Sequence, residues 1–503
     1  MKIKLWILAL VLTKVSLGQN LVVDISSTNE PNEISICIDK ENPNKLVAGA
    51  NIYSLFSSED SGLSWNRFEA SSTFGVWGDP VIIQDTAGSF YHLHLSNVPG
   101  GNWIDRIVCQ RSDDGGKTFN NGSFFGLDGK KAQDKPWAVV NPLNNEIYVT
   151  WTQFDKYGSD DPIHRSNILF TKSDDRGETW AEPTKINTVD GDCVDDDKTV
   201  EGAVPAVGPN GEIYVAWSGP NGLAFNRSFD GGRTWEENEI QITDHIGGWS
   251  IDIEGIYRAN GMPVTKCDLS GGANSGTIYV NWAAEQDGQT DIYLTTSDNH
   301  GDAWSEPIRV NQDDSNRDQF FTWMDIDQTN GNLWLVYHDR RHTTGNETDV
   351  YSALSQDGGR SFQEIKLTET PFKPNDQVFF GDYNNITAHN NVVRPVWTRL
   401  DEKKLTVQTS IVNPHPFFLS EKNLITTSFE SNGAIEINHN LRGRRFLISV
   451  YDLNGTLVGV KEKVKSKNGM ISTKIFAQIL EGVYWVEISN GSETAKGQWI
   501  KKH

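Results

Sequence analysis

Cysteine is scarce in this 503-residue chain, with only four in all, too few for a disulfide scaffold at that length. Large cores do not need one. Cys37 and Cys109 fall in strand-like runs and read as buried small hydrophobes. Cys193 and Cys267 sit in polar loops, where a bridge stays open in an oxidising compartment. Basic residues are in deficit: 45 Lys and Arg against 67 Asp and Glu give a formal net charge of −22. That balance argues against wholesale binding to nucleic acid or anionic membrane. No His/Cys cluster has zinc spacing. Past the leader, no apolar run reaches the roughly 18–20 residues of a membrane helix. What is present is 37% hydrophobic residues with 22% charged, enough for a large globular core.

Residues 1–18 read as a signal peptide: Lys2 and Lys4, an apolar run from Leu5 to Leu12, and small residues at Ser16 and Gly18. The mature chain is expected to begin near Gln19, with no lipoprotein cysteine after the cleavage site.

The string Ser-x-Asp-x-Gly-x-Thr/Ser-Trp/Phe then recurs six times, and such repetition outranks any local reading. Its copies are Ser58–Trp65, Ser112–Phe119, Ser173–Trp180, Ser228–Trp235, a degenerate Ser297–Trp304 with Asn299 and Ala303, and Ser355–Phe362. Their glycines, 62, 116, 177, 232, 301 and 359, are spaced for one four-stranded propeller blade per copy. Each copy suits a tight turn: Ser and Asp hydrogen-bond the local backbone, Gly takes φ > 0, and the aromatic folds back as a plug. The repeated aspartates are therefore read as structural. A seventh unit without a box follows at Asn385–Ala388, Val392–Thr398 and Leu405–Ile411, and Leu21–Ile25 would supply its missing outer strand. The expectation is an all-β fold, a seven-bladed (alternatively six-bladed) β-propeller over 19–413, since ring closure removes exposed edges.

These boxes, with Gly78-Asp79-Pro80, Asp134-Lys135-Pro136-Trp137, Asp339-Arg340-Arg341 and Gly381-Asp382-Tyr383, resemble the sialidase-like BNR-repeat family of secreted bacterial proteins over roughly residues 28–413. The resemblance implies a propeller. It leaves activity open, because that fold serves sialidases, other glycosidases, polysaccharide lyases and non-enzymatic receptors.

A linker at 414–419 precedes a second domain, 420–503, with 12 basic and 8 acidic residues by count. Its alternating runs Phe446–Tyr451 and Gly482–Ile488, with the Asp452–Gly455 turn, predict a small β-sandwich. It resembles the C-terminal sorting domain of the type IX secretion system, which implies export across the periplasm to the cell surface or medium. A carbohydrate-binding or adhesive sandwich is the other reading.

In a propeller the residues entering each innermost strand gather at one channel mouth, the usual ligand site. In register these are Glu33, Asp79, Asp134, Glu201, Glu254 and Asp382, with Phe320 or Phe321 in the sixth unit. Crowded carboxyls raise one another's pKa and suit acid/base chemistry, although carboxylates between blades also simply accept backbone N–H groups. Lys135, Arg258, Arg340, Arg341 and Arg399 are the cationic candidates and Trp137, Trp323, His338 and Tyr383 the aromatic ones. Arginines suit a carboxylate or sulfate, and rings suit sugars; internal ion pairing of Arg340 and Arg341 with the acids is the plainer alternative.

The family resemblance would make Tyr383 a nucleophile paired with Glu254 or Glu201, with Asp79 as the acid. Its Arg-Ile-Pro signature is missing, since Asn32-Glu33-Ile34-Ser35-Ile36 stands there, so the first arginine of a sialic-acid clamp has no counterpart. The function expected is a carbohydrate-active protein, a sialidase-like glycoside hydrolase. Alternatives are a lyase or dehydratase on uronic-acid glycans, using Tyr383 or His338 as base, and a non-catalytic glycan- or protein-binding propeller. The run Asp190–Asp197 makes Asp192, Asp195 and Asp197 calcium candidates, beside the plainer reading of a solvated acidic loop. Expected partners are an extracellular glycan and, through the C-terminal domain, the outer-membrane secretion machinery, with the chain as a monomer.

Overall fold

The structure, a computed structural model, describes residues 21–244, 249–286, 288–412, 425–429, 435–439, 441–443, 445–451, 457–473, 482–490 and 494–501. The expected signal peptide, the 414–419 linker and the turn ending at Gly455 lie outside the described residues. Two compact units divide the chain, one of them Val22–Phe417 and the other holding Phe418–His503.

Among the described residues there is no helix. The larger unit contains seven four-stranded antiparallel sheets, six of them formed by consecutive strands. Their first strands are Ser35–Ile38, Val81–Gln84, Ala132–Val140, Glu201–Val207, Val264–Cys267, Gln319–Asp327 and Asn385–His389. Each contacts the first strand of the next sheet, and the seventh returns to the first. The last sheet takes its outer strand from the start of the described chain, where Leu21–Ser26 pairs with Lys404–Ile411. Arg394 of that sheet reinforces the seam: its Nε donates to the Ser61 carbonyl in the first sheet at 2.6 Å.

Covering both faces of each sheet explains the sequence texture. Second strands such as Ile147–Phe154, Ile213–Gly219 and Asn332–Asp339 are buried at every position, so they read as apolar runs rather than as alternation. Trp151, Trp217, Trp334 and Trp397 occupy these strands and are fully buried. Truncating any of them to Ala is expected to cost about 3–5 kcal/mol.

The six boxes form one repeated hydrogen-bond pattern. In the fourth, Ser228 Oγ donates to Asp230 at 2.9 Å, the Gly232 and Thr234 amides donate to Ser228 Oγ and Asp230 at 2.9 Å each, and Thr234 Oγ1 donates to Asp230 Oδ2 at 2.7 Å. The degenerate fifth box keeps the bonds to Asn299 but lacks the hydroxyl bond, because Ala303 has no oxygen to donate. The box aromatics plug the neighbouring sheet: Trp180 packs on Phe125, Trp235 on Phe170 and Trp304 on Phe225, at 4.4, 5.0 and 5.1 Å between ring centroids.

All four cysteines are free thiols. The bridge left open between Cys193 and Cys267 does not form, because each is fixed in its own ladder, Cys193 opposite Ser159 and Cys267 opposite Ile278. The C-terminal unit has a three-stranded and a four-stranded antiparallel sheet. Ile435, Ile437, Phe446, Ile448, Val450, Ile471, Val486 and Ile488 share its apolar core, the burial expected of a sandwich.

Candidate functional site

Antiparallel order decides which side chains can meet. Connections into the first strands, and the turns from second to third strands, lie at one face of the ring, and the boxes, between third and fourth strands, lie at the other. The motifs that announce the repeat are thus a full strand length from the residues that could act.

Five of the seven entries carry a residue with left-handed backbone: Glu33, Asp79, Lys135 and Phe321 at φ 46–51°, and Gly202 at 75°. The ladder begins or resumes two positions later, after a bulge in the third, fourth and sixth sheets. Such φ values cost an L-residue about 1–2 kcal/mol and persist where surroundings over-determine them. Here the surroundings are one another. Asn51 donates to the Glu33 carboxylate and accepts from the Asp79 amide at 2.8 Å. Asp79 in turn accepts from the Lys135 amide at 3.2 Å, and the Asp382 amide donates to Glu33 at 3.1 Å. Gly78 is required beside this bridge, since at φ +93° an added Cβ would lie 2.4 Å from Asn51 Oδ1.

Asp382 is the electrostatic hub. Its carboxylate takes Lys135 Nζ at 3.0 Å and Arg258 Nε at 2.9 Å, with a second guanidinium bond from Arg258. Burial would raise the Asp382 pKa, but these two cations hold it at about 2. Burial likewise works against the Lys135 ammonium, yet Asp382 and Asp134 raise its pKa well above the ordinary value. Arg258 reaches on to Asp195 at 3.1 Å, and Asp195 also accepts from Tyr157 at 2.7 Å and from the Trp249 indole at 3.1 Å.

Three further carboxyls, on Glu33, Asp134 and Glu201, are shifted upward. Burial and the charges of Asp79 and Asp382 push Glu33 well up. Burial, with Asp79 and Asp195, raises Asp134 to about 7 despite the opposing pull of Lys135. Glu201 is raised by burial and by Asp195, and neither of its carboxyl oxygens has a hydrogen-bond partner. Tyr383 lies in the same field: burial and the charges of Asp79, Glu33, Asp382 and Asp134 raise its phenol well above 10, and its hydroxyl is also unpartnered.

Of the residues selected from sequence, Glu33, Asp79, Asp134, Lys135, Glu201, Arg258, Asp382 and Tyr383 are brought together; others are not. Glu254 is exposed, because Ser250–Ile251 and Ala259–Asn260 form a short hairpin ahead of the fifth sheet. His338 is buried among Phe320, Phe321, Phe372 and Phe380, where burial lowers its pKa to about 3. Trp137 and Trp323 pack at a tilt, 4.3 Å between centroids, and against Tyr383 as channel filling, only 4% and 3% exposed, so they offer no ring face to a ligand.

The other arginines are committed to their own sheets. Arg341 is held by Asp339 at 2.7 Å and Glu364 at 2.6 Å, Arg399 by Asp401 at 2.6 Å, and Arg340 is buried against Thr348 at 3.1 Å. Asp192, Asp195 and Asp197 do not converge: Asp192 accepts from Thr199, Asp197 from the Ser250 amide, and Asp195 turns to Arg258. Among the described residues no His, Cys, Asp and Glu cluster is arranged to hold a metal ion. Asn51, Tyr157 and Trp249 were missed; none repeats from unit to unit, so the register gave no signal for them.

Residues 431–502 match the family described as the secretion system C-terminal sorting domain. The protein is accordingly exported by type IX secretion to the cell surface or medium. Over 103 residues the chain is 31% identical to the putative structural protein VP1 of Aedes pseudoscutellaris reovirus (isolate France), spanning 20% of this chain but only 8% of that protein. Among solved structures it is similar to a PL25 ulvan lyase at 13% identity, covering 78% of this chain and 94% of that one, TM-score 0.48. The NanB sialidase of Streptococcus pneumoniae is similar at 11% identity, 68% and 69% coverage, TM-score 0.44. A protein of unknown function from Dyadobacter fermentans is similar at 14% identity, 67% and 97% coverage, TM-score 0.45.

Proposed function

We propose that the larger unit is a seven-bladed propeller of the sialidase-like Asp-box class that hydrolyses glycosidic bonds of extracellular glycans at the mouth around Tyr383. The observation that carries this reading is the convergence of six carboxyl groups, on Glu33, Asp79, Asp134, Asp195, Glu201 and Asp382, against two cations, Lys135 and Arg258. Glycoside hydrolysis passes through an oxocarbenium-like, positively charged transition state, which a net acidic centre stabilises. A lyase must instead stabilise a carbanion next to a carboxylate, which the same centre opposes.

Asp134, at about 7, is the proton donor to the departing oxygen. Tyr383 is the nucleophile, with Asp79, the carboxylate whose charge acts most strongly on its phenol, as the proton acceptor. Sialosides are not favoured, because Arg340, Arg341 and Arg399 lie outside the centre and Arg258 is already paired on both sides. The burial of Asp382 and Tyr383, at 1% and 4% exposure, favours a second reading in which the ring is a structural plug and the protein only binds glycan. The two separate in a hydrolysis screen of neutral and acidic polysaccharides, read by reducing-end release alongside absorbance of unsaturated uronate. Reducing ends without unsaturated product, reduced at least about 100-fold in Tyr383→Phe and in Asp134→Asn, are expected. Unsaturated product, or wild-type rates in both variants, would remove the proposal.

A further inference from the structure

Trp77 and Trp103 stand 39% and 44% exposed on the face of the ring that carries the acid centre. Their rings meet edge to face at 6.5 Å between centroids, and Trp103 meets Tyr157 in the same way at 5.5 Å. These are not loose loop tips. The Trp77 amide donates to the Leu95 carbonyl at 2.9 Å, Trp103 opens a ten-residue strand and pairs with Asn97, and Tyr157 is fixed to Asp195 at 2.7 Å. Asp195 holds Arg258, and Arg258 holds Asp382. A continuous chain of contacts therefore runs from two solvent-facing indoles to the hub of the centre. On the far side, Tyr257 is 63% exposed and Phe379 packs beneath the Arg258 guanidinium at 5.3 Å.

We propose that Trp77, Trp103 and Tyr157 form a stacking platform for the sugar rings of a neutral glycan chain that leads away from the acid centre. Sugar rings present apolar C–H faces that stack on aromatic faces, and adjacent exposed indoles on a rigid frame are otherwise unfavourable in water. The charge selects the ligand: a chain of net charge −22, whose two mouth cations are already paired with Asp382 and Asp195, repels a polyanion. This deepens the hydrolase reading and rests on it for direction, but the platform is measured by binding alone.

The test uses the full-length protein in affinity electrophoresis through gels containing laminarin, arabinan or galactomannan, with polygalacturonate as the acidic control. Retardation by at least one neutral polymer and not by polygalacturonate is expected. Trp77→Ala and Trp103→Ala should each weaken it about tenfold, while Trp103→Phe, which keeps an aromatic face, retains most of it. Tyr383→Phe should bind as wild type even where hydrolysis is lost, so failure of the platform and failure of the catalytic reading are distinguishable. No retardation by any neutral polymer, preference for polygalacturonate, undiminished binding by the two alanine variants, or a change of oligomeric state in place of a change in binding would each overturn the platform.

Discussion

Asp382 and Asp134 sit a few side chains apart and answer the same burial in opposite ways. Asp382 is flanked by Lys135 and Arg258, so it stays anionic well below neutrality. Removing its charge leaves an almost fully buried ammonium without its partner. Asp382→Asn is expected to cost about 3 kcal/mol or more in denaturant unfolding; a loss under about 1 kcal/mol would mean that the pairing is dispensable. Asp134 has its pKa raised to about 7 instead. A carboxyl whose folded value exceeds its unfolded value of about 3.9 contributes its full stability below that unfolded value. The contribution is lost as pH rises through about 7. Asp134→Asn, a neutral mimic, should therefore flatten the decline of Tm across roughly pH 4–7. A variant profile parallel to wild type would argue against a buried, protonated Asp134.

The boxes and the seam show how one element type is made redundant and another indispensable. The fifth box has lost one side-chain bond, since Ala303 stands where Thr234 donates in the fourth. Restoring it with the double change Asn299→Asp and Ala303→Thr should add about 1 kcal/mol, read as a rise in the denaturation midpoint; a fall would show that this turn prefers the amide. The seam strand has no substitute. Deleting Leu21–Ser26 uncovers the edge of Lys404–Ile411, a strand with seven of eight residues buried, and should produce a soluble-to-aggregated shift in size-exclusion chromatography. A monomeric, fully stable deletion would mean that the ring does not depend on this closure.

At the scale of the whole molecule, the division of labour follows the two units. Residues 431–502 carry the export signal, whereas the acid centre and the aromatic platform both lie within Val22–Phe417. Removing 431–502 should retain the protein inside the producing cell, measured by blotting the medium and cell fractions, without lowering hydrolysis per molecule. Undiminished release would assign sorting to another segment.

What could be read in the sequence was whatever repeats or depends on near neighbours. The six boxes needed only their own Ser, Asp, Gly and aromatic residues, and their spacing carried the sheets with them. The closing strand was legible because a unit lacked one, and the sorting domain because its strands alternate. Register also found eight members of the acid centre. It failed where one side chain's fate depends on a distant element. Glu254 was displaced by a hairpin insertion, and Arg341 was taken by Glu364, twenty-three residues on. Asp195 was taken by Arg258 instead of a cation, and Trp137 and Trp323 were turned into the channel. Local pattern fixes which groups stand at the mouth; ion pairing and packing across the ring, set only when all seven sheets meet, decide which are charged, which are covered and which remain open to a ligand.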